Sequence, residues 1–214
     1  MAKIKFCGIT TLDDAEAAVD AGADYLGFNF YPRSPRAISK VDAQTIVRAL
    51  PASVPTVGVF VDASKAEVED IARGVGLSML QFHGNESAEF CQQWESWTVL
   101  KALRLGNPET DPQLELFAAI ADYLLFDAFA DGVHGGTGRE IPDVLLADAF
   151  SRVPKERVFL AGGITPENVE QKIRTYQPFA VDTASGIERA PGRKSLQLMM
   201  AFSSAVSRAG RSAA

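Results

Sequence analysis

Eight short apolar runs, rich in β-branched and aromatic residues, recur along the chain with longer mixed stretches between them. The runs are Ile4–Cys7, Tyr25–Phe30, Thr56–Val61, Ser78–Phe82, Thr98–Leu103, Tyr123–Asp127, Arg157–Ala161 and Phe179–Asp182. They are continuous rather than alternating, which suits strands of a parallel sheet covered on both faces. The stretches between them carry helix signals. Thr11 precedes Leu12–Val19, and Gly22 stops it; Ser39 precedes Val41–Leu50, and Pro51 ends it; Ala63-Ser64 leads into Lys65–Val75. Glu86–Trp94, Asp111–Ala121, Pro142–Ser151 and Pro166–Thr175 repeat the theme. Two of these open on a proline, which the first helical turn accepts because that N–H would lack a partner anyway. A last helix is predicted from about Ser195 to Val206.

Eight strands alternating with eight helices over 214 residues give about 27 residues per unit. That repeat predicts an α/β fold, a single (β/α)8 TIM barrel. No linker or shift of composition cuts the chain, so the predicted domain is 1–207, with a frayed tail at 208–214. A doubly wound open sheet is the alternative. It lacks its nucleotide signals: there is neither a glycine-rich dinucleotide fingerprint after the first strand nor a P-loop.

Composition narrows the partners. Hydrophobic residues make up 47% and charged residues 22%, so the chain is an ordinary globular one with enough apolar material for a full core. The net charge of −6 argues against nucleic acid or an anionic membrane as a partner. No apolar stretch reaches the ~18 residues a membrane span needs, and Met1–Phe6 has no apolar signal region. The two cysteines, Cys7 and Cys91, form no CxxC pair, so neither a disulfide framework nor a structural zinc site is expected, and the predicted compartment is the cytoplasm. No heptad or broad apolar stripe announces a second copy, so a monomer is the default expectation.

Barrels of this kind carry their chemistry at the C-terminal strand ends and the loops that follow. That rule selects Cys7, the Asn29–Arg36 loop, Asp62, His83, Arg104, Asp127, the Gly135–Gly138 loop, Gly162-Gly163 and Ser185-Gly186. Glycines after strands seven and eight let the backbone approach a ligand and aim N–H groups at a phosphate, or they simply make tight turns. Cys7 fits either a small buried hydrophobe or a base. Asp127, closing a buried strand, needs a partner or a task. A thiol and a carboxylate at one barrel mouth suit proton transfer at two atoms of one substrate. Arg36 in Ser34-Pro35-Arg36 matches a carboxylate or is an ordinary surface arginine. His83 and His134 are the only histidines and come without clustered carboxylates, so no metal is expected. Lys101 inside strand five reads as packed or ion-paired rather than as a Schiff-base lysine.

Lys5-Phe6-Cys7-Gly8-Ile9-Thr10 resembles the opening motif of the phosphoribosylanthranilate isomerase family of tryptophan biosynthesis. Gly27-Phe28-Asn29-Phe30 with Ser34-Pro35-Arg36, Val57-Gly58-Val59-Phe60, Gln81-Phe82-His83-Gly84, Gly135-Gly136-Thr137-Gly138, Leu160-Ala161-Gly162-Gly163-Ile164 and Val181-Asp182 through Ser185-Gly186-Ile187-Glu188 continue the likeness in order, over residues 3 to about 202. The resemblance implies an Amadori rearrangement of a phosphorylated small molecule without metal or organic cofactor. It implies Cys7 as general base and Asp127 as general acid. It implies Arg36 on the substrate carboxylate, the backbone of Gly162, Gly163, Ser185 and Gly186 around the phosphate, and His83 and Asp182 as further substrate-binding residues. Two positions depart from the family pattern. Phe6 replaces the usual isoleucine and is expected to point away from the barrel mouth. Ala184 stands where a serine or asparagine is common, which removes a side-chain donor near the phosphate.

Other phosphosugar barrels fit less well. The histidine-pathway aminoaldose isomerase performs the same rearrangement, but its usual base is an aspartate at the end of strand one, the place that Cys7 occupies. Indole-glycerol-phosphate synthase needs a lysine acid and a glutamate base, for which Lys101 is the one candidate. A catalytically silent phosphosugar-binding barrel would lack the acid or the base.

Overall fold

The computed structural model describes residues 1–107, 113–129 and 138–211. Eight parallel strands close on one another in sequence order: β1 (Lys3–Cys7), β2 (Tyr25–Asn29), β3 (Thr56–Phe60), β4 (Met79–Phe82), β5 (Thr98–Leu105), β6 (Tyr123–Ala128), β7 (Val158–Leu160) and β8 (Ala180–Thr183). Pairing of Lys5 with Asp182 in the β1–β8 register shuts the ring. Helices α1 (Leu12–Asp20), α2 (Lys40–Ala49), α3 (Lys65–Val75), α4 (Ala88–Gln92), α5 (Leu114–Ile120), α6 (Asp143–Arg152), α7 (Val169–Tyr176) and α8 (Leu196–Arg211) alternate with the strands. The expected TIM barrel is therefore the architecture.

The strands read as continuous apolar runs because both of their faces are covered. Outward-facing Phe6, Leu26, Phe60, Leu80, Phe82, Phe126 and Val181 pack against the helices in one large core. Inward-facing Val57, Met79, Leu100, Leu125, Phe159 and Ala180 form a second, smaller core inside the barrel, with Tyr25, Tyr123 and Phe179 packed against it. Period two along β1 sends Phe6 outward, where its ring meets Phe202 of α8 at 5.7 Å, as its expected orientation away from the mouth required. The same alternation sends Lys5 and Cys7 inward.

Helix starts follow their caps. The side chains of Thr11, Ser39, Ser64 and Ser87 accept hydrogen bonds from Asp14, Asp42, Glu67 and Phe90 N–H groups. The Ser87 cap makes α4 shorter than the expected Glu86–Trp94. Glu86 stays outside the helix because its carboxylate is buried and holds the Asp62 and Gly84 N–H groups and Lys101 Nζ. Similarly, α7 starts at Val169 rather than Pro166, since Asn168 Oδ1 takes the Thr165 N–H and closes a turn there. The last helix runs to Arg211 rather than ending near Val206. Ala209 is buried and Arg208 Nε bonds Glu170 Oε2 at 2.8 Å, so the segment read as a fraying tail is helical as far as Arg211. Between β8 and α8 lies an unforeseen two-stranded hairpin, β9 (Glu188–Ala190) with β10 (Arg193–Lys194). The expected start of α5 at Asp111 and the residues of the Gly135–Gly138 motif before Gly138 lie outside the described residues.

Candidate active site

A cleft of about 280 Å3 opens at the C-terminal ends of the strands. Cys7, Arg36, His83, Asp127, Gly162, Gly163, Asp182 and Ser185 all line it, so the barrel brings together eight of the nine site residues expected from sequence. Gly186 does not line it. A Cβ there would strike the Ile164 carbonyl and Thr183 Oγ1, so its glycine serves the close packing of two loops.

Cys7 ends β1 in the barrel interior, with Lys5 two residues earlier on the same face. Lys5 is fully buried and its Nζ lies 2.8 Å from Asp182 Oδ1 on the neighbouring strand β8. Burial pushes the Cys7 thiol above its ordinary pKa; the Lys5 ammonium pulls it back, the Asp182 carboxylate opposes that, and the Lys194 ammonium assists it. Burial also works against the charge of Lys5 itself, but the anions beside it hold its pKa above the usual lysine value. The other thiol, Cys91, sits outside the cleft, and burial pushes it up to about 11.

Asp127 is the last but one residue of β6, at the same mouth, with β7 and β8 between it and Cys7. Its Oδ1 accepts the Ala128 N–H at 2.8 Å, and its Oδ2 lies 3.1 Å from His83 Nε2. His83 Nδ1 in turn faces Gln81 Nε2 at 2.8 Å. Gln81 also lines the cleft, and sequence reading passed it over. The available signal was its spacing: two residues before His83 on one strand, it had to share that inner face.

Arg36 is buried, and its guanidinium is already partly engaged. Nε and Nη2 each lie 2.8 Å from an oxygen of Glu188 at the start of the hairpin. Its Nη1 has no partner among the described residues. Gly8 makes this position possible, since a Cβ there would come within 2.6 Å of Arg36 Cδ. The loop before Arg36 is stiffened by Ser34 Oγ, which accepts from Arg36 N–H and Asn29 Nδ2. Glu188 also takes Lys194 Nζ at 2.8 Å, and Lys194 donates to the Cys7 and Ala184 carbonyls. The hairpin thus ties the ends of β1 and β8 to the arginine.

Gly162 and Gly163 follow β7 with φ of 77° and 65°, the left-handed region that favours glycine. A Cβ on Gly163 would lie 2.7 Å from the Arg139 carbonyl, so the loops after β6 and β7 touch backbone to backbone. The Gly163 carbonyl is held by Asn168 Nδ2, and the Ile164 carbonyl by Thr183 Oγ1. The Gly163 and Ile164 N–H groups have no acceptor among the described residues. They leave donors for an anion where barrels of this kind often bind phosphate. Lys101 lies elsewhere: its Nζ bonds Glu86 Oε2 at 2.7 Å and the Gly84 carbonyl at 2.8 Å, on the outer face of β5. It is the ion-paired lysine expected. His134 lies outside the described residues.

Fold and cleft together define a (β/α)8-barrel with an enzyme-type site on its C-terminal face. The family model of N-(5'-phosphoribosyl)anthranilate (PRA) isomerase matches residues 4–205, and the chain belongs to that family. It is 43% identical to the N-(5'-phosphoribosyl)anthranilate isomerase of Nitrosococcus oceani over 203 residues, 94% of this chain and 95% of that one. The Chlorobium luteolum isomerase is 43% identical over 98% of this chain and 99% of its own. Among solved structures, the Thermotoga maritima phosphoribosyl anthranilate isomerase superposes with a TM-score of 0.88 at 35% identity, covering 97% of this chain and 100% of that one. A phosphoribosyl anthranilate isomerase in complex with reduced 1-(o-carboxyphenylamino)-1-deoxyribulose 5-phosphate gives 0.84 at 35% identity, again over 97% and 100%. The Thermotoga maritima enzyme is described as dimeric in a structure of its monomers.

Proposed function

We infer that this protein catalyses the Amadori rearrangement of N-(5-phosphoribosyl)anthranilate to 1-(2-carboxyphenylamino)-1-deoxyribulose 5-phosphate in tryptophan biosynthesis. The observation that carries this is a thiol and a carboxylate opening on one cleft in a chain that matches the isomerase family over residues 4–205. Asp127 gives a proton to the ribose ring oxygen as the C1–O bond breaks, and the anilino nitrogen forms the C=N bond of a Schiff base. Cys7, as thiolate, then removes the proton on C2. The resulting enolamine tautomerises to the ketone. Lys5 and Lys194 supply positive potential that offsets part of the cost burial imposes on the thiolate.

The two ends of the substrate are anionic, and each has an anchor in this reading. The free Nη1 edge of Arg36 takes the anthranilate carboxylate, while Glu188 holds the opposite edge and fixes the plane of the fork. The Gly163 and Ile164 N–H groups, with Ser185 beside them, take the phosphate; Ala184 contributes no side-chain donor there. Asp182 lines the cleft as a substrate-binding residue and holds Lys5 through Oδ1. Holding both ends leaves the reacting carbons between acid and base, where orientation supplies much of the rate.

The protein works as a cytosolic monomer in this reading. No helix among the described residues is long and apolar enough to cross a membrane. Exposed large apolar residues on the helices are Val41, Leu116, Val144, Leu196 and Met200, spread over α2, α5, α6 and α8. Purified protein given phosphoribosylanthranilate tests the activity: conversion that survives exhaustive chelation is expected. Binding of a product analogue without turnover would replace the enzyme by a silent phosphosugar-binding barrel. Sedimentation equilibrium at micromolar concentration tests the monomer.

A further inference from the structure

Gln81 is 1% exposed, on the inner face of β4. Its amide nitrogen lies 2.8 Å from His83 Nδ1, and its amide oxygen is buried with no partner among the described residues. A leucine or methionine would fill that space without stranding a polar atom. Packing therefore does not account for the amide, and the hydrogen bond to His83 does.

That bond has a directional consequence. In the orientation the amide takes here its NH2 faces Nδ1, and since an NH2 can only donate, Nδ1 accepts. The proton of the neutral imidazole then sits on Nε2, which points at Asp127 Oδ2 at 3.1 Å. The other oxygen, Oδ1, accepts the Ala128 N–H at 2.8 Å. Both carboxylate oxygens thus meet donors, and the side chain is fixed about both. In the opposite tautomer, a lone pair of Nε2 would face Oδ2 and the second donor would be lost.

We propose that Gln81 is a positioning residue for the general acid: it locks His83 in the Nε2–H tautomer, and His83 holds Asp127 and steadies the carboxylate left after proton transfer. This rests on the reading of Asp127 as the acid. When the Asp127 O–H bond breaks and the ring-oxygen O–H bond forms, the C1–O electron pair goes to the ring oxygen. The negative charge that appears on Asp127 then meets the donors already aimed at it, with no reorganisation required. His83 does not transfer a proton to substrate in this arrangement. It is the donor that the departing charge needs, and Gln81 keeps it a donor.

Nitrogen-15 NMR of the imidazole in the wild-type protein reads the tautomer without any substrate. The Nε2–H form is expected; an Nδ1–H form overturns the proposal. Gln81→Glu offers Nδ1 an acceptor in place of a donor and is expected to move the proton to Nδ1. Its kcat should fall by on the order of 10–100-fold, as for removal of other partners that orient a functional side chain, with product affinity retained. Gln81→Met, close in shape, should give mixed tautomers and an intermediate kcat. Placed on Asp127→Asn, Gln81→Glu should add no further loss, because its route to the chemistry is gone. A reversed tautomer with unchanged kcat, or full additivity with Asp127→Asn, overturns the positioning role. Normal turnover by Asp127→Asn alone would instead remove the acid reading while leaving the tautomer result standing.

Discussion

Arg36 and Glu188 are 152 positions apart in the chain, yet they form a two-point ion pair, with Nε and Nη2 each 2.8 Å from a carboxylate oxygen. The pair joins the loop after β2 to the hairpin after β8, β2 and β8 being the two strands that flank β1. It uses one edge of the guanidinium and presents the other. Lysine keeps the charge but has a single nitrogen, so it cannot hold Glu188 and a planar carboxylate at once. Arg36→Lys should therefore raise KM for phosphoribosylanthranilate by about 10–100-fold, the worth of a lost charged hydrogen bond. Ligands that lack the carboxylate should bind the variant as they bind wild type. Equal losses for both kinds of ligand in titration calorimetry would make the arginine a structural strut.

Asp127→Asn preserves the shape of the side chain and removes its proton. We expect kcat to fall by at least ~10²-fold, the lower range for general acid–base catalysis. Circular dichroism and product-analogue affinity should stay as in wild type. Near-normal turnover in a folded variant rejects the assignment.

Cys7→Ser keeps the volume and replaces a thiolate by a hydroxyl that does not ionise in the working range. Turnover should drop by ~10²-fold or more while product affinity persists. Burial holds the wild-type thiol above its ordinary pKa in the free protein. The thiolate is therefore lost as pH falls, and kcat/KM should fall toward acidic pH. That limb should be missing from the residual rate of the serine variant. A wild-type profile flat through this range would remove Cys7 as the base.

Gly163→Ala places a methyl group where φ is 65° and where a Cβ would meet the Arg139 carbonyl. The loop must shift and its N–H groups turn from their aim. KM for the phosphorylated substrate should rise by about 10-fold or more, the worth of one charged hydrogen bond. Inorganic phosphate should weaken as a competitive inhibitor to a similar degree. Unchanged inhibition by phosphate would place the anion elsewhere in the cleft.

Lys5→Met strands Asp182 as an unpaired carboxylate inside the barrel. Breaking a buried ion pair on one side costs about 3–5 kcal/mol. Urea denaturation should report a loss of that size, and Lys5→Met/Asp182→Asn should recover most of it. In the double variant, alkylation of Cys7 by iodoacetamide should require higher pH than in wild type, since the ammonium beside the thiol is gone. If the double variant reacts at the same pH as wild type, Lys5 contributes stability only.

The continuous apolar runs were sufficient to place all eight strands within two residues at either end, because a strand buried on both faces must be apolar throughout and its loops must break that run. Their C-terminal ends then named Cys7, His83, Asp127, Gly162 and Gly163, since the barrel topology turns every such end to one mouth. Local chemistry also set the helix starts at Thr11, Ser39 and Ser64. Sequence alone could not show that Glu86 leaves its helix to meet Lys101, or that Arg36 shares its fork with Glu188. Nor could it show that Lys5 finds Asp182 through the closing β1–β8 register, or that His83, held by Gln81, reaches from β4 past β5 to Asp127. Each of these depends on two residues far apart in the chain, and hydrogen bonds and ion pairs act over about 3 Å with directional demands. Periodicity decides which way a side chain points; only the closed ring decides what it meets.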